Sequence, residues 1–490
     1  MTVRKWLLGG LGLLLLCCGG GVAAITWFFA RPPLDQRVDF DRPLRVPPLA
    51  ASTVDGQGRR VFELRAQAGE SDLGHGATRT WGYNGAYLGP TLRAKRGEQV
   101  VVNVRNSLPE ATTVHWHGMH LPAKVDGGPH HPIPAGGSFQ AAWTVDQPAA
   151  TLWYHPHPSE TTEKQVYRGL AGMFIVDDDD PAQAALPHDY GVDDVPVMVQ
   201  DKDFDGDQLS MSGRFGSDIG VLGDQILVNG TRAPYLDVHS ELVRLRVLNA
   251  STARIYNFRL GDGRPFALVG TDGGLLDKPF MTDHVRLSVG ERAEIVVQMR
   301  PGERVALRSV RSLGGDLGSK FNGGQDAFDI LQLRAAATLT PAALPKTLVA
   351  TPRLDPAQAA QTRSFTFSGR EINDRKMDMD RVDAVIVKDT VEVWNVRNGH
   401  DTPHSFHIHD VQFQVLAVDG APPPGELSGW KDTLYLAEGQ TFRIIARFAD
   451  YADPTTAYMF HCHVLKHEDE GMMGQFVIVE KGEQPRLQHG

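Results

Sequence analysis

The sequence predicts an all-β protein of three β-sandwich domains behind a hydrophobic N-terminal segment. Three observations carry that prediction. Most of the chain reads as short, alternating, β-branched runs between Gly, Pro, Asn and Asp clusters, with no long amphipathic helical period. One strand recurs: GEQVVVNVRNSL, SELVRLRVLNAS and KDTVEVWNVRNG end at Asn106, Asn249 and Asn398, spaced by 143 and 149 residues. A second, glycine-led strand follows each copy near Gly137, Gly290 and Gly439, as PAGGSFQAAWTV, SVGERAEIVVQM and AEGQTFRIIARF. A chain of 490 residues also exceeds what one ordinary core serves.

The elements follow in chain order. Residues 1–35 form the hydrophobic segment. Arg4 and Lys5 precede an uncharged run of 25 residues, Trp6 to Ala30. That run is long enough to span a bilayer. The charge asymmetry keeps the N-terminus in the cytoplasm and sends the body across. Small residues at Gly21, Ala23 and Ala24 equally allow cleavage, so a signal peptide and a transmembrane anchor both remain open. Either places the body in the periplasm or another extracytoplasmic space, touching membrane only here. Export by the general or the twin-arginine route stays undecided, since RKW is a weak variant of the latter signal. Cys17 and Cys18 lack the small residue expected before a lipidated cysteine.

The first domain is expected over 36–180, the second over 181–345 and the third over 346–490. The joins, DDDDPAQAALPHDYGVDD and RAAATLTPAALPKTLVATPRLDPAQAAQ, read as solvated linkers. A net charge of -10 without a basic stripe argues against nucleic acid as a partner. Of three cysteines, two lie in the export segment, so the body holds no intrachain disulfide. The third, Cys462, sits inside HCHVLKHEDEGM. It is either an inert buried thiol or a metal ligand.

The histidines bear on that choice. Chance placement would give about one His-x-His pair in the chain, yet four are present: His115 and His117, His155 and His157, His407 and His409, His461 and His463. His404 precedes the third pair. All lie in the first and third domains, and the matching stretch of the second, ARIYNFRLGDG, has none. Alternate residues on a strand face one side. Each pair is therefore expected to be a bidentate grip, and two pairs from each domain would build an eight-imidazole cluster at a domain interface. Such a cluster suits several closely placed metal ions. Cys462 would then face away from His461 and His463, one peptide unit from each, a short electron conduit. With His404, His467 and Met472 it offers two imidazoles, a thiolate and a weak thioether, the ligand set of a blue-copper centre. His120, His130 and His131 read as solvent-facing loop residues, and KMDMD, with Met377 and Met379, as a surface turn.

Over roughly residues 45 to 482 these motifs resemble the bacterial three-domain multicopper oxidases, the laccase-like and cuprous oxidase-like group. The resemblance implies cupredoxin-like Greek-key domains and four copper ions. It assigns type 1 copper to His404, Cys462, His467 and Met472, and type 2 copper to His115 and His407. The type 3 pair falls to His117, His155, His157, His409, His461 and His463. The middle domain would be a copper-free spacer. Asp126 in VDGG and Glu468 in HED match family acids linked to proton delivery, while His467 and Cys462 carry electrons inward. The implied activity couples four one-electron oxidations of a small-molecule or metal-ion donor to reduction of O₂ to water, in a monomer. Phenols and aromatic amines are expected ahead of Cu(I), because a methionine-rich insertion between the second and third repeats is missing. A copper-tolerance cuprous oxidase is the alternative. A non-catalytic cell-division relative would show eroded ligands, and none of the twelve is missing. A copper nitrite reductase would have two domains and no trinuclear set. Ser405 and Asp410 stand where the family usually has Pro and Gly, which implies only local differences in packing and hydrogen bonding. The stretch PSETTEKQ is more acidic than usual.

Overall fold

The computed structural model describes residues 33–213, 219–311, 323–400 and 402–488. The hydrophobic run 6–30, with the signal-or-anchor expectation, lies outside them. Among the described residues no helix is long and apolar enough to cross a membrane.

Strands dominate, arranged as three two-sheet sandwiches. The first packs a five-stranded sheet, with Arg60–Asp72 and Gln99–Asn106 at its centre, on a four-stranded sheet. That second sheet carries His115–His117 at one edge with Ala150–His155 beside it. The third packs two five-stranded sheets, and one of them sets His404–Ile408 beside Tyr458–Cys462. The middle sandwich joins seven- and eight-stranded sheets. Each has its own core. Val100, Val102 and Val104 point into the first, as a period of two demands. Phe406, Trp394 and Phe460 anchor the third, and Val243, Leu245 and Val247 the middle one.

The sequence repeat is visible atom by atom. Asn106, Asn249 and Asn398 each end a strand paired antiparallel with the glycine-led strand. Each side-chain amide then donates to two carbonyls: Glu110 and Ile133, Arg254 and Leu287, Thr402 and Leu436. Each side-chain carbonyl accepts an N–H two residues on. A short side chain that bonds backbone locally is why Asn recurs where these strands turn.

Two segments depart from the expected layout. Residues 36–43, counted with the first domain by sequence, and Asp35 before them pair instead with the middle sandwich: Asp35–Gln36 run parallel to Ala327 and Phe328, and Arg42–Pro43 to Pro234 and Tyr235. The acidic run is more than solvated linker. Asp177 pairs with Arg93 at 2.6 Å, Asp179 with Lys95 at 2.7 Å, and Asp180 caps the short helix Pro181–Ala185. Cations on the neighbouring strand Leu92–Lys95 give the run partners that composition alone does not reveal.

Candidate metal centre

The four histidine-bearing strands meet where the first and third sandwiches touch. Within the first, His115 lies opposite His155; within the third, His407 lies opposite His461. Across the junction His117 stacks on His407 at 3.7 Å between ring centroids, and His115 on His409 at 3.8 Å. All eight imidazoles are buried.

Their nitrogens fall into three sets. His117 Nδ1 is 3.4 Å from His155 Nε2 and 3.1 Å from His463 Nε2. His461 Nε2 is 3.2 Å from both His157 Nε2 and His409 Nε2. The Nε2 atoms of His115 and His407 are buried without a partner. The eight-imidazole cluster therefore forms; wider groups still hold both members of a pair, His115 and His117 with His155, and His407 and His409 with His115, but the closest nitrogen contacts divide every pair. The two members of every His-x-His pair serve different sets, because residues two apart on a strand sit about 6.6 Å apart with parallel side chains. Each set draws instead on both sandwiches.

Outer hydrogen bonds fix the tautomers. Nδ1 of His115, His155, His407 and His461 donates to the carbonyls of Asp126, Pro156, Asp432 and Cys462. His409 Nδ1 donates to Asp126 Oδ2 at 2.7 Å, and His117 Nε2 to Asp432 Oδ1 at 3.1 Å. Once the outer nitrogen holds the hydrogen, the inner one is a bare lone pair. The contacts of His117 with His155 and of His409 with His461 thus set lone pair against lone pair. Burial, aided by neighbouring rings, pushes His117, His155, His407, His409 and His463 well below the ordinary value and His157 to about 3. These rings stay neutral, so protons do not relieve the repulsion; a cation does. Nitrogens about 2.0 Å from one tetrahedral ion stand about 3.3 Å apart, which matches the spacing here.

A second group lies on the other side of Cys462. Its Sγ is 3.6 Å from His404 Nδ1 and 3.5 Å from His467 Nδ1, and those two nitrogens are 3.2 Å apart. Burial pushes the thiol up to about 12, so without a cation it is protonated and inert. Met472 is fully buried in the same apolar cluster. Its N–H donates to the His467 carbonyl and its C=O accepts from the Cys462 N–H. The donor set fits a soft, thiolate-preferring ion such as copper. The tripeptide His461–Cys462–His463 touches this group and both imidazole triads.

The two predicted acids stand against outer nitrogens. Asp126 contacts His409 and, at 3.4 Å, His115. Glu468 stands 3.3 Å from His157 and 3.2 Å from His461. Burial raises both carboxyls, but the adjoining histidines outweigh it and hold both well below the usual range. Gly127, in the turn that carries Asp126, has φ +78, and a Cβ there would lie 1.8 Å from the Val114 carbonyl oxygen. His120 and His130 join neither group: His120 bridges Asp410 and Asp450, and His130 meets Gln475. The turn holding Met377 is hydrogen-bonded to Gly471, beside Met472.

Sequence reasoning missed Asp432, Thr433 and Arg292, which close over His117 and His407. Arg292 lies in the middle glycine-led strand, but neither its residue type nor Asp432 and Thr433 recur in the other copies, and the contacts to His117 and between Arg292 and Asp432 span 140 residues or more. It also undervalued Ser405, whose hydroxyl donates to Val289 and pairs with Ser288 in the middle sandwich. The middle sandwich supplies no member of a candidate metal group among the described residues.

Profiles described as multicopper oxidase match residues 66–181, 200–313 and 346–482. The chain is 37% identical over 439 residues to multicopper oxidase mco of Staphylococcus haemolyticus, covering 88% of this chain and 91% of that one. It is 34% identical over 483 residues to cell division protein FtsP of Edwardsiella tarda, covering 95% and 96%. A solved multi-copper oxidase from Pediococcus acidilactici matches with a TM-score of 0.84 at 33% identity over 94% of this chain and 96% of that one. With three matching profiles and the histidine strands assembled at one junction, the chain belongs to the multicopper oxidase family.

Proposed function

We propose that this multicopper oxidase binds four copper ions and reduces O₂ to water with electrons from small aromatic donors. The observation that carries the reading is the set of inward lone pairs, fixed by outer hydrogen bonds and spaced for metal. His404, Cys462, His467 and Met472 would hold type 1 copper, and His115 and His407 type 2 copper. The remaining six histidines would hold the type 3 pair, one ion on His117, His155 and His463 and the other on His157, His409 and His461. Copper so bound supplies one-electron acceptance at the thiolate and reduction of O₂ at the cluster. The chain does the rest. Cys462 joins the two sites through one peptide unit on either side. Burial keeps water from the imidazoles. Asp126 and Glu468 hold the outer N–H groups in place, and Asp126 Oδ1, buried with only a 3.4 Å contact to His115 Nδ1, is a seat for an incoming proton.

Donor choice follows from what lies over the type 1 group. Met377 and Met379 are half-buried in a turn against Gly471. Two thioethers with Asp378 and Asp380 give a soft ion some purchase, but no larger methionine cover is present among the described residues. Phenols and aromatic amines are the main donors, and Cu(I) a lesser one. The body works outside the cytoplasm, exported by residues 1–35 and held by residues 6–30 if these are not cleaved.

The likeness to a cell-division protein favours a second, non-catalytic reading. It leaves twelve intact ligands without a purpose, and is the weaker for it. Metal analysis and O₂ uptake on purified protein decide. Four coppers per chain, an intense blue band and donor-dependent O₂ consumption are expected; a fully loaded, colourless protein that consumes no O₂ would leave the second reading standing.

A further inference from the structure

Of the eight clustered rings, His117 alone turns Nδ1 inward; the others present Nε2. The reason is on its outer side. His117 Nε2 lies 3.1 Å from both Asp432 Oδ1 and Thr433 Oγ1. The same two residues hold the ring stacked on it: His407 Nδ1 is 2.9 Å from the Asp432 carbonyl oxygen and 3.1 Å from Thr433 Oγ1. Asp432 thus governs one ring from the first sandwich and one from its own.

Asp432 is in turn held by the middle sandwich. Arg292 clamps it with two parallel bonds, Nη1 to Oδ1 at 2.6 Å and Nη2 to Oδ2 at 2.7 Å. The same guanidinium donates from Nε to the Thr151 carbonyl at 2.8 Å, on the strand that bears His155. It also reaches the Asp272 and Gly290 carbonyls of its own sandwich. One buried cation therefore ties all three sandwiches together. Gly290 brings middle-sandwich backbone against the cluster: a Cβ there would stand 3.1 Å from His117 and from His463.

We propose that Asp432 is a positioning residue: its carboxylate selects the inward nitrogen of His117, and the Arg292 clamp on that carboxylate sets the backbone carbonyl that fixes the His407 tautomer. The middle sandwich, which gives no ligand, thereby sets the geometry of the cluster. A buried Arg–Asp pair is weak evidence for stability, because desolvating two charges offsets their attraction. Its value here is orientation: a bidentate clamp holds a carboxylate in one plane, and carboxylates behind metal-binding imidazoles tune how tightly the metal is held. The inference rests on the reading that the cluster takes copper.

The test uses the full chain, stripped of copper and reloaded. Wild type comes first: failure to take up copper refutes the functional reading, not the positioning role. Given a loaded wild type, Asp432→Asn should keep the blue absorption at full intensity. It should release cluster copper to a chelator about 10- to 100-fold more readily and show a changed type 2 electron paramagnetic resonance signal. Arg292→Lys, with its charge kept but the fork lost, should move both readouts the same way by less. Wild-type copper retention and an unchanged type 2 signal in Asp432→Asn would overturn the proposal. So would loss of the blue band in step with the cluster, since that is what a merely structural role predicts. If Asp432→Asn does not fold, Arg292→Lys decides on the same two readouts.

Discussion

Cys462 is the residue on which both sites depend, and its surroundings make its loss selective. Its thiol meets His404 and His467, which stand apart from the eight clustered rings. Cys462→Ser should abolish the blue band and turnover while most cluster copper remains; loss of all copper, measured by metal analysis, would contradict the separation of the two groups. Asp126→Asn and Glu468→Gln remove charge from beside the outer nitrogens without removing a ligand. Both variants should accept electrons normally and reoxidise slowly in O₂, and stopped-flow reoxidation at the wild-type rate would refute the proton role. His120 makes a different prediction. Burial lowers its ring, but Asp410 and Asp450 on either side outweigh that and raise it to about 9, above about 6.5 in the unfolded chain. A raised value means the stabilisation is full below about 6.5 and disappears as pH climbs through 9. Against His120→Gln, wild type should be more stable by about 2 kcal/mol at pH 6, discounted for the exposed Asp450. Urea midpoints that do not converge by pH 10 would count against it.

At the scale of elements, the turn after the short 3-10 helix Ala123–Val125 is the most exacting. Gly127→Ala puts a Cβ against the Val114 carbonyl at a positive φ. The cost should be about 2 kcal/mol or more, read as a lower unfolding midpoint, and Asp126 should be displaced from His409. The elements also show what the sequence could disclose. Strand repeats, histidine pairs and the spacing of Cys462, His467 and Met472 are local patterns, so the sandwiches and the residues that meet at the junction were legible in order. Which nitrogen each ring presents was not, because that depends on carbonyls and carboxylates from other strands. Asp432 sits in the unremarked run WKDT, and only the fold brings it 315 residues back to His117. The closest contacts divide the pairs for a related reason: a period of two says which face a ring takes, not where its nitrogen converges.

For the whole molecule, copper should act as a brace between sandwiches. Ions that bind the folded chain and not the unfolded one stabilise it by mass action, and here the two triads defined by the closest nitrogen contacts each bridge the first and third sandwiches. Copper removal should lower the melting temperature by several degrees, about 4 °C per kcal/mol or less for a chain this long. A melting curve indifferent to copper would argue that the cluster is not loaded. N-terminal sequencing of membrane and soluble fractions would test the export segment: a start near Ala24 removes the anchor, and cytosolic protein removes export.

The partition of ligands across the chain also has a bearing on its synthesis. His117 and His463, 346 residues apart, belong to one triad, and His157 and His461, 304 apart, to the other. A nascent chain that has finished its first two sandwiches exposes four of the eight imidazoles and completes none of the three sets. Neither triad is complete until His461 and His463 have been made, more than 300 residues after His157. If the cluster takes copper as proposed, full loading should therefore follow synthesis of the third sandwich rather than precede it, and the compartment where that sandwich folds should decide which metal enters.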